Sequence, residues 1–304
     1  MSTLVSVIIC TFNRSGSLRE ALASLAGQTL DRGQFEIVVL DDGSSDDTRD
    51  LCLKWSKRLA NLVVLSTACN RPLGSARNAA TGAAKGDYLL FMDDDCTAAP
   101  DWIEAMRRSL ERVPIVAGAV AIPRERYIVE CHNISQFHRF RPSRAPSAET
   151  FIAGANMGLR RSALEAVGGF EEGRVIASDT EFVLRGLAKG HEVWFSPAAV
   201  VTHRPRGLNL RGIFRYAVRH AEATIQLRQR FAAVLRTPRL LRRPVFVLLA
   251  SPLIALKVSA GIYASDRRLL ARWPTFPLVY ALKLAWCWGA ARGLRMQKKI
   301  ERGI

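Results

Sequence analysis

The chain has 304 residues, 49% of them hydrophobic, which is enough for a sizeable core in one large or two ordinary domains. Six scattered cysteines with no paired short spacing argue against a zinc knuckle or a disulfide framework and fit a reducing compartment. The net charge is +17. Residues 204–304 carry +18, with 21 Lys and Arg against three acidic residues, and the rest of the chain carries −1. A near-neutral part followed by a basic part predicts contact with a polyanionic surface, either membrane or nucleic acid.

The first 122 residues alternate short apolar runs with helical patterns. We predict strands over 5–10, 35–40, 62–65, 88–92 and 115–122, and helices over 18–25, 46–59, 75–84 and 101–112. No basic segment precedes the first apolar run, so we expect a strand there and not a signal peptide. Strands that alternate with helices predict a mainly parallel sheet covered on both faces.

Three of these strands end in polar clusters, at Thr11-Phe12-Asn13, at Asp41-Asp42-Gly43-Ser44 and at Asp93-Asp94-Asp95. In open α/β sheets, ligands collect outside the carboxyl ends of the strands. Three polar strand ends at one sheet edge therefore predict a binding site.

The acidic run 93–95 suggests a metal. Carboxylates at i and i+2 of an extended segment point to the same side, so Asp93 and Asp95 can share a ligand. Oxygen ligands of this kind suit Mg²⁺ or Mn²⁺ that carries phosphate oxygens. A solvated acidic turn is the alternative, since Asp is a favoured turn residue.

The second part of the chain is less regular. Residues 123–150 have weak periodicity, and we interpret them as a loop or lid. We predict helices over 161–167 and 179–188 and strands over 192–195 and 199–202, with no internal repeat.

The motifs together resemble the family-2 glycosyltransferases, which have the α/β GT-A fold. The resemblance rests on VIICTFNR (7–14), EIVVLDDGSSDDT (36–48), GSARN (74–78), LFMDDD (90–95), GANMGLRR (154–161), GGFE (168–171) and DTEF (179–182). It covers about two-thirds of the chain, in the family's order. It implies a GT-A catalytic domain over 1–203, with a nucleotide-binding half (1–122) and an acceptor-binding half (123–203).

The resemblance also implies roles for single residues. The nucleotide-binding residues would be Thr11, Asn13, Asp42, Arg77 and Asp93. Asp42 would accept a hydrogen bond from the base, usually uracil, and Arg77 would lie near the base or diphosphate. The Mg²⁺ or Mn²⁺ ligands would be Asp95, Asp93 and His203, although a lone histidine is more often structural. Asp94 would be a spacer.

Asp179 is the general base that the resemblance implies. Relatives usually have Glu-Asp where this chain has Ser178-Asp179, and the alternative is that Asp179 only caps the following helix. Glu181 is a substitute base, although we expect it on the helix surface. Gly154 and Asn156 belong to a loop that in relatives touches the acceptor or donor sugar, and a plain turn is the alternative.

The pattern of the basic part (204–304) indicates a membrane-associating helical region. Residues 208–235 form an amphipathic pattern with arginines on one face, typical of a helix in a membrane surface or of one packed on the catalytic domain, and the two interpretations are compatible. The apolar stretches 245–264 and 276–291 are interrupted by Pro252, Lys257 and Lys283, so we favour interfacial or re-entrant helices over two spans. Trp273, Trp286 and Trp288 suit the headgroup level.

We therefore expect a metal-dependent inverting glycosyltransferase at the cytoplasmic face of the cell membrane, peripheral or re-entrant. Its donor would be a nucleotide sugar, UDP-linked as the resemblance implies, and its acceptor a membrane-proximal glycan or a lipid-linked hydroxyl. Anionic lipids would be partners and nucleic acid would not, because the basic part alternates Arg with long aliphatic runs. The alternatives are a sugar transferase acting on polyprenyl phosphate and a non-catalytic nucleotide-sugar-binding membrane scaffold.

Overall fold

The computed structural model describes residues 5–301, without the side chains of 298–301. It divides the chain into two compact units. The sheet unit contains residues 1–123 and 140–206, and the helical unit contains residues 124–139 and 207–304. Part of the predicted lid segment therefore belongs with the C-terminal helices, and it is not a loop there, because residues 127–137 form a helix.

The strands of the sheet unit form one sheet in the order β3-β2-β1-β4-β8-β6-β9-β5, with β7 paired to β9. Their bounds are β1 Val5–Thr11, β2 Phe35–Asp41, β3 Leu62–Ser66, β4 Tyr88–Met92, β5 Cys96–Ala98, β6 Ile115–Ala121, β7 Ser147–Ala148, β8 Asn156–Arg160 and β9 Val193–His203. The four strands β3, β2, β1 and β4 are parallel, as predicted. All seven residues of β2 are buried, as in a strand covered on both faces.

Six helices cover this sheet. They are α1 Ser15–Ala26, α2 Thr48–Ser56, α3 Leu73–Ala83, α4 Trp102–Leu110, α6 Arg161–Val167 and α7 Ser178–Ala188. Their buried positions recur every three or four residues, as in α4, where Trp102, Ile103 and Met106 are fully buried.

The far half of the sheet is mixed. Strand β8 runs antiparallel between β4 and β6, and it is a strand that the apolar pattern does not predict. Its pattern is weak because it includes Asn156 and Gly158. The two strands predicted at 192–195 and 199–202 form one strand, β9, which pairs with β6 through a register shift between Gly118 and Ala119.

The helical unit consists of α5 Tyr127–Phe137, α8 Leu210–Arg230, α9 Pro244–Leu249, α10 Ser251–Ala264, α11 Arg267–Leu270 and α12 Phe276–Glu301. The apolar face of α8 is buried against α12, in clusters that include Ile213, Ala217, Ala221 and Ile225. The face of α8 that could enter a membrane is therefore covered by α12 of the same unit, and the membrane contact expected for the basic region stays a prediction. Among residues 5–301, no helix combines the length and apolarity needed to cross a bilayer.

Candidate functional site

The three polar strand ends lie side by side, because β2, β1 and β4 are neighbours in the sheet. Thr11, at the end of β1, donates a hydrogen bond to Asp94 Oδ2 at 2.7 Å. Asn13 has a left-handed backbone (φ 53°), and its Oδ1 accepts a hydrogen bond from the Ser45 amide at 2.7 Å. The loop after β1 is thus tied to the loops after both neighbouring strands.

The acidic run is a turn and not an extended segment, because the Cys96 amide donates to the Asp93 carbonyl. The same-side argument for i and i+2 therefore does not hold. Asp93 Oδ1 lies 3.7 Å from Arg77 Nη2, whereas Asp95 faces Arg14 and His203. The two carboxylates of the predicted shared site contact different cationic side chains.

Asp94 is a buried anchor and not a spacer. Its two carboxylate oxygens accept hydrogen bonds from Thr11 and from Arg14 Nη1. Burial raises the pKa of Asp94 to about 6, although Arg14 opposes the shift. The Arg14 Nη1 atom is 2.9 Å from both Asp94 Oδ1 and Asp95 Oδ2, so one guanidinium forms ion pairs with two neighbouring carboxylates.

Asp95 and His203 form the part of the site that suits a divalent metal. Burial alone would raise the pKa of Asp95, but His203 and Arg14 outweigh it and hold that pKa at about 2. Asp95 Oδ1 is buried, lies 3.4 Å from His203 Nε2 and has no hydrogen-bond partner among the described residues. An unsatisfied carboxylate oxygen beside an imidazole nitrogen is a donor set that fits Mn²⁺ or Mg²⁺.

A complete protein cage for a metal is absent from the described part of the chain, where no three His, Cys, Asp or Glu side chains form a group that could hold an ion. Mg²⁺ in nucleotide enzymes is commonly held by one or two carboxylates, with substrate phosphates and water as the other ligands. The residues present therefore fit a metal site in which Asp95 and His203 are the protein ligands and Asp93 lies beside them.

Asp42 is buried after β2 and already engaged. Its Oδ1 accepts from the Thr67 hydroxyl at 2.9 Å and from Arg71 Nε at 3.2 Å, and its Oδ2 accepts from the Arg71 amide at 2.6 Å. The adjacent Gly43 has φ +80°, and a Cβ there would stand 2.8 Å from Cys69 Cα. Glycine is needed at that position for both reasons.

Arg77 of α3 connects the acidic turn to the second half of the unit. It is buried, and it donates hydrogen bonds from Nη1 to Ser178 Oγ at 2.9 Å and from Nη2 to the Gly154 carbonyl at 3.3 Å. Its guanidinium also lies over the rings of Phe91 and Phe170, at 6.0 and 5.6 Å from the ring centroids. The side chain is therefore held rigidly beside Asp93.

Asp179 lies in the same group. A Cβ at Gly154 would be 2.7 Å from Asp179 Oδ2 and 2.9 Å from Arg77 Nη2, so all three meet at one point. Asp179 occupies the first turn of α7 but does not cap it, because the N-cap residue is Ala177, in a left-handed conformation (φ 61°). The capping alternative is therefore wrong.

Glu181 is not on the helix surface, contrary to the sequence-based expectation. It is fully buried, and its two oxygens accept hydrogen bonds from Arg185 Nε and Nη2 at 2.7 and 2.8 Å. A carboxylate that is bound in this bidentate manner is a structural ion pair and a poor substitute base.

Asn156 has a structural position and not the sugar-contacting one that the sequence suggests. It is fully buried, its Nδ2 donates to the Ala119 and Ala199 carbonyls at 2.8 Å each, and its Oδ1 accepts from Trp102 Nε1 at 2.8 Å. Both amide donors are used. A Cβ at Gly118 would be 2.3 Å from the Asn156 amide group, so Gly118 makes room for it.

The sequence assigns no contact to three polar residues of this site. Arg14 forms ion pairs with the acidic turn, Arg71 binds Asp42, and Ser178 binds Arg77. Arg14 could be suspected from its place directly after a strand end that faces an acidic cluster. The other two depend on contacts across 29 and 101 residues of chain, which local patterns do not encode.

Residues 6–168 match the model of glycosyl transferase family 2, and residues 88–294 match that of glycosyl transferase family group 2. Glycosyltransferase AglE of Haloferax volcanii is 25% identical over 69% of this chain and 71% of its own length. Validoxylamine A glucosyltransferase of Streptomyces hygroscopicus is 37% identical over 34% of this chain and 24% of its own length.

The fold is also that of solved glycosyltransferases. The mannosyltransferase PcManGT from Pyrobaculum calidifontis, solved in complex with GDP-Man and Mn²⁺, superposes with a TM-score of 0.67 at 22% identity. The match covers 97% of this chain and 88% of that one. The structural likeness establishes the GT-A-like α/β fold, and the family match covers more than half of the chain. The chain therefore belongs to the family 2 glycosyltransferases.

Proposed function

We propose that the protein transfers a sugar, with inversion, from a nucleoside diphosphate sugar to a hydroxyl of a glycan or lipid-linked acceptor near a membrane. The observation that supports this most directly is the grouping of Asp179, Gly154 and Arg77 next to the acidic turn. It places a carboxylate, a backbone turn without a side chain and a buried guanidinium at one edge of the sheet.

The donor would lie along the ends of β1, β2 and β4. Thr11 and Asn13 would line the nucleoside pocket, and Asp42 would accept a hydrogen bond from the base. A carboxylate oxygen can accept two hydrogen bonds, and among the described residues Asp42 Oδ2 accepts one, so capacity remains for a base N–H. Arg77 and Asp93 would position the diphosphate and the nucleoside.

In the transfer step the acceptor oxygen attacks the anomeric carbon and forms the new glycosidic bond. The bond between that carbon and the diphosphate breaks, and its electron pair leaves with the diphosphate. Asp179 takes the proton of the acceptor hydroxyl, which contributes ~10²–10⁴-fold in rate. Gly154 leaves room for the acceptor beside Asp179, because any side chain there would meet the carboxylate.

A Mg²⁺ or Mn²⁺ ion bound by Asp95 and His203 would supply positive charge opposite the departing diphosphate. Asp95 Oδ1 has no hydrogen-bond partner among the described residues, so this oxygen would bind the ion while Arg14 keeps its contact with Oδ2.

Asp179→Asn in the full-length protein provides the test. We expect transfer to fall by a factor of ~10² or more, as for loss of a general base, with unchanged Mn²⁺-dependent binding of the nucleoside diphosphate. Asp95→Ala should instead weaken that Mn²⁺-dependent binding. A donor panel of UDP-, GDP- and dTDP-sugars tests the expected preference for UDP. Full transfer by purified Asp179→Asn would contradict the role as base.

Transfer to polyprenyl phosphate is the second candidate. Two observations favour it, namely the serine at 178 in place of the usual glutamate and the apolar surface that the helical unit exposes. A phosphate acceptor is already ionised and needs no strong base. Asp179→Asn would then keep most of its activity on polyprenyl phosphate while losing activity on hydroxyl acceptors, so one variant separates the two candidates.

A further inference from the structure

Helices α9 and α10 expose an apolar stripe within the stretch 245–264, for which the sequence predicts interfacial or re-entrant helices. The exposed residues are Val245, Leu249, Leu253 and Leu256, at spacings of four, four and three residues. Such spacing places side chains on one helix face. Leu249 is 79% exposed and Leu253 is 72% exposed, more than any other large apolar side chain in the described part of the chain.

The exposed face is continuous across the two helices, because helical hydrogen bonding continues through their junction. Ala250, between them, keeps a right-handed helical backbone, its amide donates to the Phe246 carbonyl, and the Ile254 amide donates to the Ala250 carbonyl. Pro252 has no amide for the Leu248 carbonyl, and the Ser251 hydroxyl donates to that carbonyl at 2.7 Å instead. The stripe therefore continues across the junction.

Helix α10 is apolar on both of its sides. Ala255, Ser259, Ile262 and Tyr263 are buried on the side that packs within the helical unit. The opposite side exposes Leu253, Leu256, Lys257, Ala260, Gly261 and Ala264. A helix that borders water normally has a polar outer face, and one that is apolar all round is buried in protein or lipid.

Basic residues border the stripe at both ends. Arg242 and Arg243 precede α9, and Arg267 and Arg268 follow α10, all of them exposed. Residues 236–273 contain eight Lys and Arg against one acidic residue, Asp266. Trp273, next to the second cluster, is also largely exposed. Arginines at both ends of an apolar helix, with one lysine that can extend to the headgroups, fit a rod lying flat at a lipid interface.

We infer that the exposed face of α9 and α10 is a docking surface for an anionic lipid bilayer, into which Leu249 and Leu253 insert while the flanking arginines contact headgroups. The function of this contact rests on the proposed transfer to a membrane-proximal acceptor. The contact itself needs neither donor nor acceptor. A basic rim selects a negatively charged surface over a neutral protein face or a second copy of this equally basic chain.

The test is binding of the full-length protein to phosphatidylcholine vesicles with and without phosphatidylglycerol. We expect binding to vesicles that contain the anionic lipid, weakened by salt. Leu249→Gln with Leu253→Gln should lower the partition coefficient by roughly a hundredfold, since each inserted leucine contributes more than tenfold. The matched control is Leu53→Gln with Val175→Gln, which removes apolar side chains of 53% and 59% exposure from the sheet unit and should leave binding unchanged.

Hydrogen exchange of the vesicle-bound wild type gives a readout without any substitution, and protection should appear at residues 244–264. Wild-type-like binding by the Leu249 and Leu253 double variant, protection confined to other segments, or no vesicle binding at all would each overturn the inference. Lipid-free dimerisation abolished by the same double variant would also overturn it, with a second copy as the occupant. Nucleotide-sugar turnover measured in parallel keeps the two proposals separate, because inactive protein that still binds vesicles would contradict only the proposed function.

Discussion

The buried guanidinium of Arg77 fixes the relative positions of the segments around Asp179. Its hydrogen bonds to Ser178 and to the Gly154 carbonyl connect the start of α7 to the turn before β8. A guanidinium can serve several acceptors in fixed directions, which a lysine ammonium cannot. The position of Asp179 therefore depends on a residue that lies about a hundred positions earlier in the chain.

The structural role of Asn156 in the segment 154–156 can be tested by substitution. Asn156→Ala would leave the Trp102 indole N–H and two backbone carbonyls without their partner in the core. Each unsatisfied group costs ~1–3 kcal/mol, so we expect the free energy of unfolding to fall by about 3 kcal/mol or more. The donor KM of the folded protein should be unchanged. Urea denaturation and steady-state kinetics measure the two quantities.

Asn61→Ala is the matched control for this prediction. The Asn61 side chain makes one hydrogen bond, from Nδ2 to the Phe35 carbonyl at 3.0 Å, in a partly buried place. We expect a loss of about 1 kcal/mol there. If Asn156→Ala raised the donor or acceptor KM while stability stayed at the wild-type value, Asn156 would be a sugar-binding residue after all.

At the scale of elements, the helical unit depends on a close approach of α8 and α12. A Cβ at Gly289 would be 2.3 Å from the Val218 carbonyl oxygen, and one at Gly293 would be 2.9 Å from the Glu222 carbonyl oxygen. Two glycines four residues apart let the helix backbones approach as no larger residue would. This packing explains why the amphipathic face of α8 is buried by protein.

Helix α12 also carries a titratable group within the helical unit. Lys283 Nζ donates to the Ser135 carbonyl of α5 at 2.7 Å, and burial lowers the pKa of Lys283 from 10.5 to about 8. Burial, with the positive charge of Lys283 as the next cause, also lowers the pKa of His138 to about 3. Both shifts have the same origin, since desolvation disfavours the charged form of a base.

Lys283→Met should therefore stabilise the protein at neutral pH. Below pH 8 the folded state holds a desolvated ammonium, which costs about 3 kcal/mol, and loss of the hydrogen bond to Ser135 offsets about 1 kcal/mol of the gain. Between pH 8 and 10.5 the unfolded chain binds more protons at this residue, so its contribution to stability rises with pH. The advantage of the variant, about 2 kcal/mol at pH 7, should therefore disappear before pH 10.5, and above that pH the lost hydrogen bond should leave the variant about 1 kcal/mol less stable than the wild type.

Denaturant titrations of wild type and variant across pH 7–10.5 check this expectation, because the difference between the two proteins cancels the other groups that titrate in that range. Lys54→Met, at an exposed position of α2, is the control and should show no such trend. A constant stability difference across the range would mean that Lys283 is not desolvated in the folded protein.

At the scale of the whole molecule, the parallel half of the sheet is predictable from local sequence. Uninterrupted apolar runs indicate its strands, and the polar clusters that follow β1, β2 and β4 indicate the site edge. Strand β8 and the role of Asn156 are not predictable in this way, because the hydrogen-bond partners of Asn156 lie 37 to 54 residues away. The same limit applies to α8. Its pattern correctly indicates a buried face, but periodicity does not tell whether protein or lipid buries it.

The two units together predict how activity depends on the place of the acceptor. If α9 and α10 hold the enzyme on the bilayer, an acceptor in the same vesicle reacts at a raised effective concentration, by about ten- to a hundredfold over a soluble short-chain analogue. The Leu249→Gln and Leu253→Gln double variant should lose this advantage in kcat/KM while its turnover of the soluble analogue stays at the wild-type level. Asp179→Asn should instead lower both activities when the acceptor is a hydroxyl.

Initial rates with both acceptors, measured at low and high salt, test this prediction. High salt should reduce only the vesicle reaction of the wild type, because it screens the exposed arginines. Equal loss of both activities in the leucine variant would mean that α9 and α10 serve the chemistry and not the membrane.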